Sequence, residues 1–205
     1  MRGVWSLGSL LTGGLILTHG PKTGSAIYLT FDDGPHPVHT PAVLDVLDRY
    51  GAKGTFFLIG NEAAAHPDVV RRLMTGGHAI GNHSMAHPKM RTLGPRSQWR
   101  EIDRADAVLA GFDGQARHAF RPPNGRVTLS AVVACIRQRQ TLALWSIDSL
   151  DYRLPAPQVV ERLQSHPVVD GDVILFHDDT EPAARALERL LPRWIEAGFQ
   201  FPPLP

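Results

Sequence analysis

Two short runs restrict the class of fold open to this chain. Thr55 to Ile59 (TFFLI) and Asp172 to Phe176 (DVILF) are nearly continuous apolar stretches, the first bounded by glycines at 54 and 60. Five residues are too few for a packed helix, and a strand without a polar face has to be covered on both sides. Helical patterns fill the intervals between such runs. Thr40-Pro41 reads as an N-cap followed by proline at the first helical position, with Val43, Leu44, Val46, Leu47 and Tyr50 at helical spacing until Gly51. Pro67 opens a helix over 68–74 that stops at Gly76-Gly77, and Ser97 is a capping candidate for a helix that reaches Ala110 and ends at Gly111. Further helices are predicted over 128–138, 157–164 and 182–197, the last interrupted by Pro192. Short strands are predicted at 78–80, 119–120 and 141–147.

Strands that alternate with helices pair in parallel through right-handed crossovers. About six or seven such units imply an α/β chain folded as a distorted or incomplete (β/α) barrel, with a doubly wound open sheet as the alternative. A length of 205 residues with 43% hydrophobic content suits one domain. Lys and Arg number 21 against 20 Asp and Glu, which lacks the basic excess of a nucleic-acid binder. The single cysteine, Cys135, rules out an internal disulfide and reads as a small core residue. Residues 1–23 form a separate N-terminal segment. Its apolar stretch from Val4 to Thr18 is broken by Gly8, Ser9, Thr12, Gly13 and Gly14, which makes it a weak targeting or anchoring signal and leaves a peripheral strand or a loose tail as the other readings. No clear membrane span is expected, and the compartment stays open, with the cytoplasm ahead of a periplasmic or membrane-associated location. Oligomeric state is not readable.

In barrels of this kind reactive groups gather where strands run out into loops. Five predicted strand ends each carry ionisable side chains: Asp32-Asp33, His83, Arg121, Asp148 to Asp151, and His177. Adjacent side chains of a regular strand face opposite ways, so Asp32 and Asp33 can share a site only if the backbone leaves the pleat, as Gly34-Pro35 suggests. His83 and His87 are four apart, which on one helical turn puts both imidazoles on one side. With Asp33 as third ligand they would hold a metal with open positions, the pattern of a catalytic zinc site. Zinc-protease helices place Glu directly after the first His, and here that position is Ser84. Asp32 is then the available general base, with Arg121 as its ion-pair partner on a loop stiffened by Pro122-Pro123. His177 is placed to protonate a leaving group, with Asp151 holding its tautomer. Two histidines and a carboxylate also describe an iron oxygenase site, in which His177 would have no role.

TFDDG at 30–34, HSMAHP at 83–88, RPPNG at 121–125, DSLDY at 148–152 and LFH at 175–177 resemble, in that order, the five motifs of the polysaccharide deacetylase family, carbohydrate esterase family four with its NodB-homology domain. The likeness spans about residues 24–200, which makes 24–205 the expected catalytic domain. It implies a distorted (β/α) barrel and metal-dependent removal of N-acetyl groups from an amino-sugar glycan such as an N-acetylglucosamine oligomer or polymer. Zinc is the expected ion, with cobalt or another divalent ion as the alternative. It implies Asp32 as base, Asp33, His83 and His87 as ligands, Arg121 as partner of the base, His177 as acid and Asp151 as partner of the acid. The third motif usually has an aromatic where Asn124 stands, at a position whose backbone N–H serves the oxyanion. The fourth usually ends in Trp, where this chain has Tyr152. Both departures bear on the wall of the sugar site. An O-acetyl esterase on glycans, an amidase on a non-carbohydrate amide, and a glycan-binding module without activity are the rival functions.

Overall fold

The computed structural model describes residues 15–205. Most of the segment 1–23, including the start of its apolar stretch, therefore lies outside the described residues. The described part begins with a two-residue strand, β1 (Ile16–Leu17).

Five strands form one parallel sheet in the order β4-β3-β2-β7-β6: β2 (Tyr28–Asp32), β3 (Gly54–Leu58), β4 (Ala79–Asn82), β6 (Ile147–Asp148) and β7 (Val173–His177). β1 pairs in parallel with β5 (Leu142–Ala143). Between β4 and β5 the ladder passes through Phe120, bridged on one side to Asn82 and on the other to Leu142. β5 and β6 lie on the same stretch of chain, which links the two groups of strands covalently. The fold is a single-domain α/β distorted barrel, as the strand rhythm implies.

The predicted strand 141–147 is thus two short strands with a break between them. Its first half bonds to Leu15, Leu17 and Phe120, whereas Ser146 already donates to the Val173 carbonyl in the five-stranded sheet. One segment cannot keep both sets of partners without a bend. Likewise, the predicted strand at 119–120 contributes only the bridging Phe120.

Period-two alternation along β2 sorts its buried residues onto two faces. Leu29 and Phe31 join the outer core under the helices, where Phe31 stacks on Phe56 (ring centroids 4.5 Å) and on Phe176 (5.8 Å). Burying a ring of this size is worth roughly 1.5–3 kcal/mol. Tyr28 belongs instead to an inner cluster with Phe57, Ala143 and Val173. Thr30 and Asp32 share that inner face and point along the barrel interior.

Among the described residues seven helices surround the sheet: α1 (His39–Arg49), α2 (Gly60–Ala65), α3 (Pro67–Thr75), α4 (Pro95–Asp113), α5 (Leu129–Gln138), α6 (Ala156–Ser165) and α7 (Pro182–Glu196). Thr128, predicted as the first residue of its helix, is instead the cap of α5, its hydroxyl accepting from the Ala131 amide at 3.1 Å. Other boundaries moved. Thr40 lies inside α1, because its hydroxyl is used by a tertiary partner, the carboxylate of Asp178 (2.5 Å). α4 begins at Pro95 rather than at Ser97, continues through Gly111 and ends at Gly114, the residue that adopts φ 74°. Pro192 does not stop α7, whose Leu187, Leu190, Leu191 and Trp194 bury a continuous face on both sides of it. Cys135 is fully buried, and burial pushes its thiol up to about 12, which suits a core residue. No helix among the described residues is long and apolar enough to cross a membrane.

Candidate active site

Asp32 closes β2 and stands in register with His177, the last residue of β7. The next residue, Asp33, leaves the pleat at φ 75°. Aspartate tolerates this left-handed conformation better than most side chains, and the turn brings both carboxylates to one rim. The chain departs from the strand at Asp33 itself, one residue before the glycine that suggested it.

His83 and His87 follow β4, but no helix carries them. They sit on a loop in which Ser84 (φ 69°) and His87 (φ 50°) are left-handed. The loop is held by polar contacts that the sequence reading missed. The Ser84 amide donates to Asn82 Oδ1 (2.8 Å), the His87 amide to Ser84 Oγ (3.1 Å) and the Ala86 amide to Glu101 (2.9 Å). The result matches what a helical turn would have delivered, with imidazole centroids 5.0 Å apart.

Asp33 Oδ1 lies 3.3 Å from His83 Nε2 and 3.2 Å from His87 Nε2. His83 Nδ1 is 2.9 Å from the Arg121 carbonyl, which can only accept, so Nδ1 carries a hydrogen and donates, and Nε2 is the ring atom that faces Asp33. Burial by itself would raise Asp33, but the facing imidazoles of His83 and His87, with His177 beyond them, bring its carboxyl below the usual range. Burial lowers His87, favouring the neutral ring a metal ligand needs. Asp33 Oδ1 is buried without a hydrogen-bond partner. One ligand atom from each of the three residues falls within 4.8 Å of the other two. A buried carboxylate oxygen facing two imidazole nitrogens is a donor set that fits a divalent cation.

Asp32 is nearly inaccessible. Its Oδ1 accepts from Arg121 Nη1 at 2.8 Å, while Oδ2 turns toward His83, 3.7 Å from Nε2. Arg121 is fully buried on the inner face of the barrel. It donates also to Thr30 Oγ1 (2.9 Å) and the Leu144 carbonyl (2.8 Å), and its guanidinium lies 4.0 Å over the Phe57 ring. Burial pulls the guanidinium down, and the charge of Asp32 opposes it.

On the other side, Asp151 grips His177 twice: Oδ1 to ring Nδ1 at 2.8 Å and Oδ2 to the backbone amide at 2.7 Å. Burial opposes protonation of His177, yet the Asp151 hydrogen bond and charge, with help from Asp32 and Asp33, raise it to about 9. The ring is a cation at neutral pH. Tyr152, half-exposed, packs edge-on against it at 5.1 Å. Asp148 accepts the Leu150 amide in a turn.

All nine predicted site residues come together. Asp32, Asp33, His83, His87, Asn124, Tyr152 and His177 line one cleft of about 380 Å³, and Arg121 and Asp151 stand behind it. Sequence reading missed Trp145 in the cleft wall, whose indole tip would sit 2.6 Å from a β-carbon on Gly125. It also missed Asp178, buried under Gly34, where a β-carbon would come within 2.1 Å of its Oδ2. Burial raises Asp178 to about 7. Its position next to His177 was the one available signal.

Residues 19–139 match the family model described as polysaccharide deacetylase. The chain belongs to this family. A peptidoglycan-N-acetylglucosamine deacetylase of Bacillus cereus is 29% identical over 100% of this chain and 76% of its own length. A chitooligosaccharide deacetylase of Sinorhizobium fredii is 32% identical over 90% of this chain and 94% of its own. Among solved structures, a peptidoglycan N-acetylglucosamine deacetylase in complex with 4-naphthalen-1-yl-N-oxidanyl-benzamide superposes with a TM-score of 0.88 at 29% identity, over 98% of this chain and 96% of that one. A family 4 carbohydrate esterase from Streptomyces lividans in complex with acetate gives 0.80 at 30% identity, over 87% and 92%. The relatives named here are deacetylating hydrolases, and this chain brings Asp32, Asp33, His83, His87, Asn124, Tyr152 and His177 to one cleft.

Proposed function

We propose that residues 24–205 form a metal-dependent hydrolase that removes N-acetyl groups from an N-acetylglucosamine-containing glycan and releases acetate. The carrying observation is that Asp33, His83 and His87 converge in one cleft with two further pairs, Asp32–Arg121 and Asp151–His177, on either side. The names of the relatives support the substrate class.

Two imidazoles and a carboxylate suit zinc, and cobalt as well. A divalent ion held there supplies Lewis-acid polarisation of the acetamide carbonyl and acidifies water. The chain's own groups move the protons. Asp32 Oδ2, left free because Arg121 occupies Oδ1, accepts a proton from the attacking water, whose oxygen bonds the carbonyl carbon. The backbone N–H of Asn124 is the donor assigned to the resulting oxyanion. His177, its Nδ1 bound to Asp151, donates the Nε2 proton to the sugar nitrogen as the C–N bond breaks. A free amine and acetate leave. Trp145 and Tyr152 offer aromatic walls to a sugar ring.

Acetate release is the decisive assay, measured on N-acetylglucosamine oligomers, peptidoglycan and O-acetyl xylan, with and without chelator. Chelator-sensitive release from the N-acetyl substrates is expected. Release from xylan alone, or from a non-carbohydrate amide alone, would replace this reading with one of its rivals.

A further inference from the structure

One acid is buried away from the cleft. Asp106 lies on the inward face of α4 with Ile102, Ala105 and Leu109, is fully inaccessible, and lines no part of the catalytic cavity. A buried carboxylate is costly unless it is paired and hydrogen-bonded. Here its Oδ1 accepts from Asn82 Nδ2 at 2.9 Å and from His118 Nδ1 at 3.1 Å, and its Oδ2 accepts from Gln140 Nε2 at 2.6 Å. Arg117, at the surface, approaches Oδ2 at 3.4 Å. The other ring nitrogen of His118 faces Asp113 at 3.1 Å. Burial opposes protonation of His118, but the Asp106 hydrogen bond and the charges of Asp113 and Asp106 raise it, so a buried cation balances the buried acid.

Asn82, the last residue of β4, connects this cluster to the loop of His83 and His87. Its Nδ2 donates to Asp106 Oδ1 and to the Ile102 carbonyl, both at 2.9 Å. Neither partner can donate, so both amide hydrogens are held on the α4 side and Oδ1 has to face away from it. That oxygen accepts the Ser84 amide at 2.8 Å, and Ser84 Oγ in turn accepts the His87 amide at 3.1 Å. Ser84 and His87 are the left-handed residues of the loop, a conformation that residues other than glycine keep only when their surroundings enforce it. The Asn82 carbonyl also accepts the Arg121 amide at 2.9 Å, and the Arg121 carbonyl is the acceptor for His83 Nδ1. Turning the Asn82 amide over would set its NH2 group against the Ser84 amide and release the loop.

We propose that Asp106 is a positioning residue for the metal centre: by holding the Asn82 amide in one orientation it preforms the loop that carries His83 and His87, so a helix carboxylate outside the cleft sets how tightly a divalent cation is held. The proposal rests on the metal-dependent reading above and adds to it a group that lies outside the cleft. His118 and Gln140 keep Asp106 in place and act on stability; among its partners, Asn82 is the one that passes its influence to the ligands. Losing such an outer partner of a metal site costs about 10- to 100-fold in affinity.

The test titrates zinc against metal-free protein in competition with a chromophoric chelator, alongside thermal melts. Asp106→Ala should raise the zinc Kd about 10- to 100-fold. Asp106→Asn, which retains an acceptor for Asn82, should melt earlier and keep the wild-type Kd, and so should His118→Gln. In a double-mutant cycle, Asp106→Ala/Asn82→Ala should bind zinc no more weakly than Asn82→Ala, because both changes act through one contact. Should Asp106→Ala fail to fold, Asp106→Leu/His118→Leu removes the buried acid and cation together and carries the same expectation for Kd. A wild-type Kd in Asp106→Ala or in the Leu pair, an equal rise of Kd in His118→Gln, or additive losses in the cycle overturns the positioning role and leaves the deacetylase reading intact. A wild type that binds neither zinc nor cobalt overturns the metal-dependent reading and the proposal with it.

Discussion

Replacing Asp151 by asparagine isolates what the carboxylate does for His177. The wild-type ring is raised to about 9 from an ordinary 6.5, and the Asp151 hydrogen bond and charge are the leading causes that raise it. Asparagine keeps the shape and loses the charge, so the leading opposition to burial is removed and the ring falls back toward 6.5. At pH 8 the protonated fraction drops from roughly nine-tenths to about one-thirtieth, a loss of about thirty-fold in the form that can donate; at pH 6 the loss is under about twofold. A bound cation would offset the contributions of Asp32 and Asp33 without removing that of Asp151. The alkaline limb of kcat/KM for acetate release should therefore move down by about two pH units in Asp151→Asn. Stability follows the same sign. A raised pKa contributes stability that is complete below pH 6.5 and is lost as pH rises through about 9. The full shift is worth roughly 3 kcal/mol. Denaturant melts at pH 6 and pH 10 should show this loss in the wild type and little of it in the variant. An Asp151→Asn profile that is uniformly depressed, with its limbs unmoved, would refute the argument and reduce Asp151 to a spacer.

Arg121→Met should cost about 3–5 kcal/mol of folding stability, because Asp32 would be left as an unpaired buried charge, and the double variant Arg121→Met/Asp32→Leu should recover part of that loss in denaturant melts. Asp32→Asn keeps an acceptor for Arg121 but leaves its buried charge uncompensated, so folding stability falls, while acetate release by the folded variant drops about 10²- to 10⁴-fold; turnover close to wild type would remove Asp32 as the base. Added zinc should raise the melting temperature of the wild type and not of His83→Ala or Asp33→Ala, a readout independent of turnover. Gly34→Ala should destabilise the chain, since the added methyl would overlap the Asp178 carboxyl at 2.1 Å, and thermal melts would register this directly.

The amino-acid order alone determined the strand and helix rhythm, because short runs without polar residues, such as TFFLI, have no stable place except between two layers. It also determined which side chains carry the chemistry. Ionisable groups directly after apolar runs have few structural uses, and five ordered motifs narrow them further. Only the tertiary structure decided how those groups meet. The side chains of Asp32 and Asp33 reach one rim through the left-handed backbone of Asp33, and His83 and His87 meet on a loop fixed by Asn82, Ser84 and Glu101 rather than on a helix. The bend between β5 and β6, the burial of Arg121 against Thr30, and the diversion of Thr40 from capping to Asp178 were equally hidden. The last two depend on partners 91 and 138 positions away along the chain, Arg121 with Thr30 and Thr40 with Asp178. Local propensity carries no record of such pairs, since their energy comes from satisfying a buried polar group at a distance, and only the folded parallel sheet brings the two ends together.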